Sequence, residues 1–229
     1  MDKVLIIAAH PDDEVLGCGG LLSKYQHSET EFKVIFLAEG TSCRYSDKEM
    51  ASDEVQSQIL RRNNFGINAL KYVGVKSHSF YNLPCGRLDT IPILEINKII
   101  EGEIEEFQPD VVFTHSENDA NNDHRIINNS TIMATRPIPG SCVKTVFTYE
   151  ISSSTEWNFG QKRFDPNYFI ELSEQNVENK IAAFLCYSSE VRAFPFPRSP
   201  EGIKNNCINR GMQAGVKYAE AYKLIRTIV

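Results

Sequence analysis

Unbroken apolar runs, not alternating ones, mark the first half of the chain. Residues 4–9 read VLIIAA, residues 32–40 FKVIFLAEG and residues 111–115 VVFTH; residues 78–84, HSFYNLP, form a shorter and more polar run. A strand covered on both faces has this continuous character, whereas a strand with one wet face alternates. Between the runs lie stretches of helical period. Residues 19–25 open a first helix, and the polar loop TSCRYSDKEMASDE leads into a second that extends to about residue 72. DTIP offers polar caps and an early proline for a third, on which Ile93, Ile96, Ile100, Ile104 and Phe107 share one face. QPD then ends it. The order β-α-β-α-β-α-β predicts an α/β fold with a parallel sheet between helical layers.

The last third reads differently. TVFTYEISSSTEW begins as a strand, FPFPRSP is proline-rich, and residues 203–228 are predicted as one terminal helix. Ile203, Met212, Val216 and Leu224 would face the core or a subunit interface from it, which leaves a homo-oligomer open. No polar linker separates this part, so residues 1–229 are expected to form a single domain, with a core over 1–140 and an extension over 141–229.

Composition narrows the class. With 41% hydrophobic and 24% charged residues the chain can bury a sizeable core. A net charge of −6 argues against broad attraction to nucleic acid or anionic lipid. Cys18, Cys43, Cys85, Cys142, Cys186 and Cys207 show no CxxC spacing. No secretory segment or membrane span is read, so a cytoplasmic protein with reduced thiols is expected.

The chemistry gathers at strand ends. HPDDE (10–14) follows the first strand directly, and SENDANNDHRIINN follows the fourth. In doubly wound sheets ligands bind outside the carboxyl ends of the strands, where the strand order reverses. The first and fourth strands flank that point, so the two loops should face one crevice. His10, Asp13 and His124 would then offer two imidazoles and one carboxylate. That set suits a divalent metal, Zn2+ first and Fe2+ or Mn2+ as alternatives, with a position left for water. Asp12, next to a ligand, is a candidate general base. Taken alone, HPDD reads equally as a helix cap. The glycines of GCGG do not match GxGxxG, and acids at the strand end would repel a pyrophosphate.

AHPDDEVLGCGG with a later DHR resembles the PIG-L/LmbE-like family of zinc-dependent N-deacetylases. PDVVFTHSENDANNDHRI, TRP, YEISSSTEW and PRS extend the resemblance toward a bacterial branch associated with surface-polysaccharide sugars. It implies a Rossmann-like three-layer core and hydrolysis of an acetamide on an amino sugar. It implies metal ligation by His10, Asp13 and His124, with Asp12 as base. The partner expected is an N-acetylated sugar conjugate, nucleotide-linked or glycosidically attached.

Departures from the family pattern stand at Asn121, where relatives carry a histidine, at Cys85 (more often aspartate) and at Phe196 (commonly histidine). An amide donates a hydrogen bond but no proton at neutral pH. Either Asp12 acts as both base and acid, or His115 contributes, or activity is low. Asp123 is expected to orient His124 or its loop. Arg44, Arg87, Asp89, Trp157, Arg192 and Arg198 are candidate substrate contacts; each has an ordinary structural reading too, such as an Arg87–Asp89 ion pair. The rivals to hydrolysis are a sugar-binding or regulatory metalloprotein and a nucleotide-dependent transferase, the latter lacking a phosphate loop.

Overall fold

Successive side chains of the first strand, β1 (Lys3–Ala8), point to opposite sides of the sheet. Val4, Ile6 and Ala8 enter one apolar core, while Leu5 and Ile7 enter a second on the far face. Both sides are therefore dry, which is why residues 4–8 include no polar residue. The structure is a computed structural model that describes residues 1–159 and 162–229.

The other strands are β2 (Glu31–Ala38), β3 (Ser77–Leu83), β4 (Val111–His115), β5 (Thr145–Tyr149), β6 (Tyr168–Glu171) and β7 (Ala219–Thr227). They join β1 in one seven-stranded sheet of order β3-β2-β1-β4-β5-β7-β6. Neighbours from β3 to β5 run parallel, and β7 runs antiparallel to both β5 and β6. Helices α1 (Asp13–Tyr25), α2 (Asp53–Tyr72), α5 (Glu174–Leu185) and α6 (Pro200–Ala214) cover the first core. Helices α3 (Ile93–Phe107) and α4 (Asn122–Ala134) cover the second. The three-layer α/β architecture is as expected, and β5, β6 and β7, which follow residue 140, complete the same sheet.

Two expectations are corrected. The first helix begins at Asp13, not at residue 19, so the acids belong to its first turn, where the helix dipole favours negative charge. The terminal helix is shorter than its apolar pattern suggested. It stops at Ala214 because Gly215 takes a left-handed conformation (φ 74°) and Val216 N–H returns to Gly211 O at 2.9 Å. The chain then re-enters the sheet as β7, pairing Leu224 with Phe147 and leaving Met212 68% exposed.

The glycines after HPDDE are there for close packing. A Cβ on Gly17 would lie 2.5 Å from the Tyr149 ring, and one on Gly20 would lie 2.5 Å from Leu172 and 2.9 Å from Glu220. Through this gap a buried ion pair reaches the backbone of α1. Lys180 Nζ donates to Leu16 O (2.7 Å) and to Glu220 Oε1 (2.6 Å). Glu220 in turn accepts the amides of Gly20 (2.7 Å) and Leu21 (2.6 Å). Glu220 lies on β7 and Lys180 on α5, so the C-terminal third is bonded directly into the helix that starts at the candidate site.

Gly17→Ala should therefore destabilise the protein by about 1–3 kcal/mol in urea unfolding, through overpacking against Tyr149 that outweighs the gain in helix propensity. Gly102 in α3 is the control, since nothing lies within 4 Å of its added Cβ. Gly102→Ala should be neutral or stabilise by about 0.4–1 kcal/mol. Equal stability of the two variants would refute the close-approach account.

Candidate active site

The strand order reverses between β1 and β4, whose Val4 and Val111 are paired in register. From this point the chain winds outward in both directions, and the loops after the two strands meet across one crevice. The loop after β1 is tightly held. His10 N–H donates to Asp13 Oδ2 (2.8 Å), Asp13 N–H to His10 O (3.1 Å) and Asp12 N–H to Glu14 Oε2 (3.0 Å). Asp12 sits at φ 135°, a conformation costly for any residue with a Cβ. Its side chain makes no cap bond to α1, so the capping reading of HPDD does not hold.

Asp13 Oδ2 is the hub. It lies 3.4 Å from His10 Nδ1, 3.3 Å from His124 Nε2 and 3.6 Å from His115 Nε2, and all four residues are buried. Burial works against the Asp13 carboxylate, but the imidazoles hold its pKa well below the usual range. The outer nitrogens of two histidines meet further carboxylates: His10 Nε2 is 3.0 Å from Asp123 Oδ2, and His124 Nδ1 is 3.2 Å from Asp119 Oδ2. Burial alone would depress both imidazoles. Asp123 and Asp13 nevertheless raise His10 to about 9, and Asp13 and Asp119 raise His124 to about 10.

These supports are themselves anchored. Asp123 accepts the amides of Gly86 (2.6 Å) and Leu88 (3.3 Å). Asp119 accepts hydroxyl hydrogen bonds from Ser154 and Thr155. Asp123 thus supports His10, not His124 as expected. It precedes His124 on a helix and so points about 100° away from it. Asp119, which sequence reasoning missed, fills that role from the loop. The signal available was an acid five residues before the histidine, at a spacing with no fixed geometry.

The residues fit a divalent cation. His10, Asp13 and His124 place ligand atoms within 4.8 Å of one another. Both ring nitrogens of His124 are buried and face carboxylates at 3.2–3.3 Å without a well-aligned hydrogen bond, as suits a ring whose inner nitrogen is open to a metal. A second set, His10, Cys85 and Asp123, also converges, but there His10 Nε2 is already committed to Asp123. Asp12 stands beside the cluster and does not join it. Its Oδ2 is 2.9 Å from Arg198 Nη1 and 3.1 Å from Arg62 Nη2. Burial pushes the Asp12 pKa up to about 6, and the two guanidinium groups restrain the rise. Arg62, another residue the sequence did not mark, also bonds Pro11 O (3.1 Å) and Glu190.

The remaining candidates fall into distinct places. His115 Nε2 accepts the Ala9 amide at 2.8 Å, and burial lowers its pKa to about 3, so it is a neutral ring stacked on His124 at 4.0 Å. Asn121 caps α4, its Oδ1 accepting Asp123 N–H at 2.9 Å. Arg87 pairs with Asp47 (2.8 Å), not with Asp89, which is exposed. Arg44 pairs with Glu190 at 3.0 Å, and Arg192 is exposed. Trp157 meets Phe196 edge-on, with ring centres 5.8 Å apart. The Trp157 loop is tied to Asp119 through Ser154 and Thr155, and Phe196 lies two residues before Arg198. The aromatic pair therefore belongs to segments that also touch the crevice. All six cysteines are free. No helix among the described residues is long and apolar enough to cross a membrane.

Known proteins resemble this chain in sequence or in fold. An uncharacterized deacetylase of Escherichia coli (strain K12), YaiS, is 27% identical over 193 residues, covering 81% of this chain and 90% of its own. The N,N'-diacetylchitobiose deacetylase of Pyrococcus horikoshii superposes with a TM-score of 0.77 at 20% identity, over 98% of this chain and 84% of that one. A 4-carboxy-2-hydroxymuconate hydratase, GalB of Pseudomonas putida KT2440, superposes with a TM-score of 0.74 at 19% identity, over 100% and 98%. The last likeness shows that the fold alone does not fix the reaction. The model of the PIG-L family, described as GlcNAc-PI de-N-acetylase, matches residues 5–135, from β1 to the end of α4 and including His10, Asp12, Asp13 and His124. The chain belongs to the PIG-L family.

Proposed function

We propose that this chain is a metal-dependent hydrolase that removes the N-acetyl group from an N-acetylated amino sugar, with His10, Asp13 and His124 holding Zn2+ or a similar divalent ion. The observation that carries the reading is the Asp12 carboxylate set beside that trio yet bonded to Arg62 and Arg198 instead. The cation, when bound, supplies polarisation of the acetamide carbonyl and makes water more acidic. Asp12 takes the proton from the attacking water, and the protonated carboxyl returns it to the departing amine. Arg62 and Arg198 aim the carboxylate and favour its ionised form.

Asn121 supplies no proton, and the His115 ring is fixed as an acceptor for Ala9, so both halves of the proton transfer fall to Asp12. Trp157 and Phe196 offer apolar faces on which a sugar ring stacks. The setting in keeping with the sequence is surface-glycan or related biosynthesis in the cytoplasm. Asn121 also favours a second reading, a sugar-binding metalloprotein without turnover.

Acetate release from a panel of N-acetylhexosamine conjugates, with metal content measured by mass spectrometry, separates these readings. The wild-type protein should release acetate and stop when chelated. Tight sugar binding without any release from fully loaded protein would favour the second reading. Asp12→Asn should keep its metal and lose about 10²–10⁴-fold in kcat, whereas His124→Ala should lose metal and turnover together. Equal metal loss in both variants would undo the division of roles.

Asp119→Asn and Asp123→Asn test the outer carboxylates. Each should weaken metal binding by about 10–100-fold in a chelator competition, because an amide orients an imidazole less strongly than a carboxylate does. Unchanged affinity in both would remove them from the site.

A further inference from the structure

The chain is acidic overall, with a net charge of −6, yet one pocket reverses the sign. A cavity of about 320 Å³ is lined by Arg44, Arg61, Arg62 and Arg192, with Glu190 as the single acid in its wall. Glu190 is already engaged: both its oxygens lie 3.0–3.1 Å from Arg44 Nη2, and it bonds Arg62 as well. Arg61 and Arg192 meet no carboxylate among the described residues. Arg61 lies over the Phe65 ring at 5.3 Å, and Arg192 Nη1 folds back onto Ser189 O (2.8 Å) and Val191 O (3.1 Å). The pocket therefore holds a surplus of positive charge that no side chain offsets.

Its position gives that surplus a use. Arg44 comes from the loop after β2, Arg61 and Arg62 from α2, and Glu190 and Arg192 from the loop between α5 and α6. That last loop also carries Arg198 to Asp12. Arg62 is shared, since one of its nitrogens touches Asp12 and another touches Glu190. The pocket thus begins one guanidinium away from the carboxylate assigned to proton transfer.

Planar guanidinium groups bind phosphoryl oxygens through paired hydrogen bonds, and several around one cavity select an oxyanion carrying more than one charge. We propose that this pocket binds the phosphate or diphosphate that links the amino sugar to the rest of its carrier, with Arg61 and Arg192 as the principal contacts and Arg44 in support. The acetamide would then lie at the crevice with its phosphorylated end past Arg62. The assignment of this anion to the substrate rests on the deacetylase reading; the pocket's affinity for it does not.

Calorimetry on the full-length, metal-loaded protein reads the pocket directly, with inorganic pyrophosphate, uridine diphosphate and farnesyl diphosphate as probes. Pyrophosphate should bind, more weakly as salt rises, and Arg61→Gln and Arg192→Gln should each weaken it by about tenfold. Both side chains are exposed, so the variants should melt with the wild type. Tighter binding of uridine diphosphate than of farnesyl diphosphate assigns a nucleotide carrier, and the reverse assigns a lipid carrier. In acetate release, the ratio of kcat/KM for a diphosphate-linked N-acetylhexosamine to that for a neutral N-acetylated oligosaccharide should fall by about tenfold in either variant. Pyrophosphate held equally by wild type and both variants, as a cation in the crevice would hold it, overturns the pocket. Arginine-dependent binding in a protein that releases no acetate would leave the pocket standing and defeat the hydrolase reading alone.

Discussion

A single buried oxygen, Asp13 Oδ2, sets the terms for everything around it. An ionised carboxylate removed from water is costly unless charge or hydrogen bonds replace the solvent. Here the His10 amide donates to it and three imidazole nitrogens lie within 3.6 Å. Those imidazoles bring requirements of their own. Asp123 and Asp119 answer them, and are satisfied in turn by the amides of Gly86 and Leu88 and the hydroxyls of Ser154 and Thr155. Four loops, after β1, β3, β4 and β5, are thereby tied to one point. The side chains of the crevice are thereby fixed from more than one direction, and a preorganised donor set is what a cation of fixed preferred geometry needs.

Charge then alternates away from the hub. Asp12 faces Arg62 and Arg198, Arg62 faces Glu190, and Glu190 faces Arg44. Asp12, Arg62 and Glu190 are each held on both sides by opposite charge, so Asp12 is kept in place without being drawn into the His10–Asp13–His124 cluster. Its positive φ serves the same end, turning neighbouring aspartates to different partners. The strain at Asp12 is sustained by the surrounding hydrogen bonds and by α1, which begins at the next residue. The helix is in turn pinned from behind by Lys180 and Glu220.

How legible this was depended on whether the physics was local. Buried parallel strands announce themselves as apolar runs, so β1, β2 and β4 were readable, and the switch point followed from their order. The meeting of His10, Asp13 and His124 was legible because the topology brings two strand ends together. The partner of Asp123 was not, since it depends on where a helix points a side chain and on a loop more than a hundred residues away. Arg62 and Glu190 looked like ordinary helix and loop charges until packing joined them. The terminal helix was overextended because residues 216–225 keep an apolar content that suits either element. What ends the helix is one left-handed glycine and the vacancy beside β5 that β7 fills. GCGG explained itself only once Tyr149, Leu172 and Glu220, all distant in sequence, were seen against α1.

The same fold carries a hydratase, so the reaction must be argued from side chains at the loops. Asn121 is the telling one. Its side chain caps α4, whose first turn bears Asp123 and His124, and such a cap contributes about 1 kcal/mol. The amide therefore steadies the helix that presents Asp123 and His124, while offering no proton at neutral pH. His115 is a neutral ring, because burial and the neighbouring His124 outweigh Asp13 and Asp119, and its Nε2 accepts the Ala9 amide, so it carries no imidazolium proton to give. In the hydrolysis proposed above, a carboxylate that has just accepted a proton is the remaining donor. Asp12, raised by burial yet held between two arginines, has the intermediate basicity that the proposed role, accepting and then releasing one proton, requires.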